Sequence, residues 1–121
     1  MSNPNATPTA HAYRSAVALS AATGGAISPI AFMAFGTSNR PYSAADDVEV
    51  YGEVARVAAV VVANGPEVTV KAVLKGSQAG SSVICNVGAF TASGVLVGRA
   101  VVKPKEFEET SELEIEMIFE Y

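Results

Sequence analysis

The clearest pattern in this chain lies near its end. Leu113, Ile115, Met117, Phe119 and Tyr121 alternate with Glu112, Glu114, Glu116 and Glu120, and Ile118 alone breaks the alternation. Successive side chains of a strand point to opposite faces, so residues 113–121 are predicted to form a strand with one apolar and one carboxylate face. Such a strand has to be tied into a sheet, because a loose apolar end invites aggregation. Residues 67–75 alternate in the same way, with Val68, Val70, Ala72 and Leu74 facing a core and Glu67, Thr69, Lys71 and Lys75 facing out. Residues 83–91 and 95–103 read as a hairpin around Ala92-Ser93-Gly94. Upstream, residues 54–63 are apolar on both faces apart from Arg56. Residues 27–35 are an aromatic and β-branched run in which Pro29 is confined to the start or to an edge. Asn64-Gly65 marks a turn between strands, and Pro66 is expected to lengthen it beyond two residues.

The remaining segments read differently. Residues 1–12 are small, polar and proline-containing, and are expected to form a flexible arm. Residues 13–23 are alanine-rich and stop at Gly24-Gly25, which predicts one short helix. Residues 36–50 are rich in turn formers and predict a long surface loop, a length that is usually functional or disordered. Residues 76–82 and 104–111 are expected to connect strands. Strands joined by short turns pair antiparallel. The expectation is therefore a single mainly β domain over residues 13–121: an antiparallel β-sandwich with hairpin connections and one short N-terminal helix.

Composition adds one idea to this picture. Half of the 121 residues are apolar and 17% are charged, which is rich for a small monomer and points to an oligomer interface. The apolar excess in Val57, residues 60–62 and residues 30–35 is expected to be buried between subunits or against a partner. The arm and the long loop are the expected docking elements. A net charge of −4 argues against nucleic acid as a partner. No apolar run approaches the roughly 20 residues of a membrane helix, so no membrane insertion is expected. A soluble chain made in the cytoplasm is the expectation, and the single cysteine, Cys85, fits it.

Enzyme chemistry finds little support. The lone histidine, His11, lies in the predicted arm, and Cys85 reads as an inert thiol within a strand. One histidine and one cysteine are too few for a zinc site. Asp46, Asp47 and Glu49 lack the spacing of a calcium loop. No catalytic residue, metal or cofactor is expected. The glutamate ladder reads as a solvated face whose counter-ions are Lys71, Lys75, Arg99 and Lys103. Arg56, set among valines and alanines, needs a partner if it is buried. Glu53 is near but expected on the opposite face, so Arg56 is read either as an edge residue reaching water or as half of an intersubunit ion pair. Assembly-interface candidates are Arg56, Glu53, Val57, Val61, Tyr42 and Tyr51. The alternative is a carbohydrate- or cell-surface-binding β-sandwich module, for which Tyr42 and Tyr51 are the candidate aromatics.

The order of these elements resembles the N-terminal domain of bacteriophage tail-collar fibre and related baseplate-attached tail fibre proteins. Glu53-Val54-Ala55-Arg56 is similar to that family's Glu-Val-x-Arg element. Ile84-Cys85-Asn86-Val87-Gly88-Ala89-Phe90 is similar to its glycine-containing strand, and residues 93–99 to the turn and strand that follow. Asn86 stands where the family often has an acidic residue, and Ala89 where it has a larger apolar one. The resemblance spans residues 15–121. It implies a virion structural protein of a phage or prophage tail, either a tail fibre or a baseplate attachment adaptor. It also implies a homotrimer in contact with other tail or baseplate proteins.

Overall fold

A computed structural model of the chain describes residues 5–80, 82–106, 108 and 110–121. Residues 1–4 of the predicted arm, and positions 81, 107 and 109 of the predicted connections, lie outside the described residues. Among the described residues the chain is mainly β, with the helix α1 (His11–Thr23) ahead of seven strands. These are β1 (Ile30–Gly36), β2 (Glu53–Ala58), β3 (Val60–Asn64), β4 (Glu67–Lys75), β5 (Ile84–Thr91), β6 (Leu96–Lys105) and β7 (Glu112–Glu120). A single-turn helix, α2 (Gly76–Ala79), follows β4 within the predicted 76–82 loop, and the Lys75 N–H donates to Gln78 Oε1. Every strand pair is antiparallel. One sheet runs β2-β1-β5-β6 and the other β3-β4-β7.

Alternation drives the packing of the two sheets. Met33, Phe35, Val87, Ala89 and Val97 of the first sheet meet Val70, Ala72, Leu74, Met117 and Phe119 of the second in one buried core. The predicted faces of β4 and β7 are borne out: Met117 and Phe119 are buried while Glu112, Glu114 and Glu116 are exposed. The first sheet is also covered on its outer face. There Ala34, Phe90 and Leu96 form a second cluster with Val50 from the long loop and Ala10 from the arm. Burial on both faces explains why β1 and β5 are apolar at almost every position.

The structure corrects four expectations. The predicted strand over residues 54–63 is two strands. It leaves the first sheet at Ala59, whose N–H donates to Ala31 O, and enters the second sheet as β3. Val60–Asn64 is consequently exposed at every residue. The turn after β3 is the tightest one, with Asn64 opposite Glu67 across Gly65-Pro66. Gly65 has φ +59° and proline holds its own φ near −65°, the combination of a type II′ turn. Third, the arm is docked along residues 5–10. The Thr7 N–H donates to Ile118 O and the Ala10 N–H to Val97 O, each at 2.7 Å. A Cβ at Gly98 would strike the Phe119 ring and press on Pro8 O at 3.2 Å, so glycine leaves room for both. His11 accordingly opens α1, its N–H bonded to Ala44 O. Fourth, residues 30–35 cannot serve a partner, because β1 is an interior strand with Met33, Ala34 and Phe35 fully buried.

Candidate functional site

Two features stand apart from the ordinary core: a buried arginine that anchors the long loop, and an exposed apolar sheet edge on the opposite side.

The anchor begins with a row across the outer face of the first sheet. Arg56, Ala34, Gly88 and Arg99 are successive partners across β2, β1, β5 and β6. The small residues in the middle leave room for the 37–52 loop, which closes over Arg99. Arg99 and Asp47 are both fully buried. Arg99 Nε and Nη2 donate to Asp47 Oδ2 at 3.0 and 2.9 Å, Nη2 also donates to Pro41 O at 2.7 Å, and Nη1 reaches Asn86 Oδ1 at 3.4 Å. Asp47 accepts further bonds from the Ser43 N–H and the Tyr51 hydroxyl. Asn86 Nδ2 donates to Ser38 O and Tyr51 O, both at 2.9 Å. Gly36 fits beneath because a Cβ there would strike Tyr51 O. Among the described residues no buried side-chain nitrogen or oxygen lacks a partner. A buried ion pair is tolerable on that condition, since each ion loses several kcal/mol of hydration.

Titration follows from this geometry. Burial alone pushes the Asp47 carboxyl up, but the Ser43 N–H, the Arg99 guanidinium and the Tyr51 hydroxyl together hold it below the ordinary 3.8. Burial, aided by the Asp47 charge, pushes the Tyr42 hydroxyl up to about 12.

The predicted site residues fall in two groups. Tyr42 and Tyr51 belong to the anchor. The Tyr42 hydroxyl donates to Pro8 O, both rings lie within 6 Å of the Arg99 guanidinium, and Tyr51 also carries Arg40 over its face at 4.4 Å. Arg56, Glu53, Val57 and Val61 lie on β2 and β3. Here one expectation is corrected: Glu53 shares a face with Arg56. Gly36 pairs with Glu53 and Phe35 with Ala55, so Val54 is an extra residue, and the slip turns Glu53 toward Arg56. Their side chains meet at 2.8 and 3.1 Å, and the Arg56 guanidinium also stacks 4.0 Å from the Phe90 ring. Arg56 is thus an exposed edge residue with an internal partner. Val57 packs partly against the core.

Along β3, Val60, Val61 and Val62 are 66, 38 and 57% exposed, and Val54 of β2 is 39% exposed. These residues make the edge opposite the arm an apolar strip.

The glutamate ladder is only partly matched as expected. Lys71 Nζ lies 3.5 Å from Glu116, and Lys75 stands opposite Glu112. Arg99 and Lys103 are on β6, in the other sheet. Reading the residues one by one passed over the Arg99–Asp47 pair. Its available signal was an arginine inside the apolar β6 together with an aspartate in a long, tyrosine-flanked loop.

Among the described residues, no group of three or more His, Cys, Asp or Glu could hold a metal ion, and no helix is long and apolar enough to cross a membrane. No protein-family model, curated protein or solved structure matches this chain.

Proposed function

We propose that this chain is a structural subunit of a phage or prophage tail, part of a tail fibre or a baseplate attachment, which acts by associating with copies of itself and with neighbouring tail proteins. The observation that carries the association is the exposed valine strip of β3. The tail setting, and a place in the virion, come from the resemblance of residues 53–56, 84–90 and 93–99 to the tail-collar fibre family.

Magnitudes describe the kind of contact. A fully buried valine contributes about 1.5–3 kcal/mol. Val60, Val61 and Val62 start partly covered, so three from each of two copies supply on the order of 5–10 kcal/mol. Association itself costs about 4–15 kcal/mol. The valines alone barely offset that, so backbone pairing has to contribute and assembly is concentration-dependent. Light scattering on the purified chain over a range of concentrations tests the proposal. A mass above that of one chain, rising with concentration, is expected; a single-chain mass throughout refutes it.

A further inference from the structure

The sandwich has four sheet edges, and among the described residues three of them are closed or blunted. β6 and β7 stand on one side, where the arm bonds each once, from Ala10 to Val97 and from Thr7 to Ile118, and where Lys103, Pro104 and Lys105 of β6 and the glutamates of β7 blunt the rest. β2, on the other side, carries the extra residue Val54 and the Glu53–Arg56 ion pair. A bulge and charged side chains are the usual devices that keep an edge from pairing. β3 has neither. Its register with β4 is unbroken, it contains no charge and no proline, and all five residues are exposed.

Turn geometry decides which backbone groups β3 has to offer. The two-residue turn makes Asn64 and Glu67 a hydrogen-bonded pair. Bonded and non-bonded pairs alternate along an antiparallel ladder, so Val62 and Val60 bond to β4 while the N–H and C=O of Val61 and Ala63 point outward.

We infer that β3 is a pairing strand, and that a second copy of this chain adds its own β3 to it antiparallel across a two-fold axis. Two three-stranded sheets then become one of six strands. The register that overlaps all five residues sets Val60 opposite Asn64, Val61 opposite Ala63, and Val62 opposite the Val62 of the other copy. In that register the outward groups of Val61 and Ala63 meet each other. The occupant is a second copy because the strand is its own complement. Residues 57–66 carry no charge, so two of these edges approach without local repulsion even though each chain bears −4. A contact of this symmetry closes at two copies. This inference rests on the assembly reading above, but sets the count at two where the resemblance implies three.

Three variants of the full chain test it by light scattering and oxidative cross-linking. The unmodified protein is expected to have the mass of two chains. Val62→Glu places two carboxylates against each other at the axis, and is expected to halve that mass with an unchanged far-ultraviolet circular dichroism spectrum. Val62→Cys, with Cys85→Ser, is expected to form an interchain disulfide under mild oxidation, since non-bonded cross-strand pairs sit about 4.5 Å apart at Cα. Leu19→Cys in the same background, exposed on α1, is the slow control. Val62→Glu retains Cys85 and reads independently of that background. A three-chain mass, a two-chain mass retained by Val62→Glu, or cross-linking no faster at 62 than at 19 overturns the pairing and leaves the assembly proposal standing. A single-chain mass for the unmodified protein overturns both.

Discussion

Arg56 and Arg99 end the same cross-strand row, on the same face of the same sheet, yet one is exposed and the other fully buried. Sequence reading singled out Arg56 because valine and alanine surround it. It placed Arg99 among the counter-ions of the glutamate ladder, with Lys71, Lys75 and Lys103. The difference lies in the long loop, whose Asp47 pairs with Arg99 from 52 positions away. Removing one partner of such a pair strands the other charge, at a cost of about 3–5 kcal/mol. Asp47→Ala and Arg99→Met are each expected to lose that much in urea denaturation, and the double variant no more than the worse of the two. Fully additive losses would show that the residues act separately.

The same groups set the pH dependence. Asp47 has a depressed folded-state value, so its contribution is complete above 3.8 and is lost as pH falls through the lower folded value. Tyr42 has a raised one, so its contribution is complete below 10 and is lost as pH rises toward about 12. Denaturation midpoints measured across pH are expected to fall at both ends. Asp47→Asn is expected to flatten the acid limb selectively.

Among the elements, the arm illustrates how composition misleads. Small residues and prolines read as flexible because they carry little apolar area. Residues 5–10 are held instead by backbone hydrogen bonds to β6 and β7, which composition does not report. Ile118, the one apolar residue on the glutamate face of β7, supplies the carbonyl that accepts from Thr7. A chain beginning at Ala10 is expected to melt several degrees lower, at about 4 °C per kcal/mol lost. Hydrogen exchange should rise along β7 while β4 stays protected. An unchanged melting temperature would mean that the arm adds nothing to stability.

For the molecule as a whole, the sequence-level expectation of surplus apolar surface is met by β3 and not by β1. An assembly held by Arg56 ion pairs would weaken in salt, where screening acts beyond about 10 Å at 0.1 M and less at higher concentration. An assembly held by an uncharged valine edge should not. Repeating the light-scattering series in about 0.5 M salt is expected to leave the mass unchanged or raise it, since screening also reduces repulsion between chains of net charge −4. Dissociation in salt would return the interface to Arg56.

Local pattern was enough to establish the β class, the short helix, and the inward and outward faces of β4 and β7, because alternation and turn chemistry act between neighbouring residues. The partner of Arg99, the docking of the arm, and the split that leaves β3 at an edge were decided by tertiary structure alone. Each depends on which distant segment covers a given strand, and a strand apolar on both faces has the same sequence whether a loop, a second sheet or water lies against it.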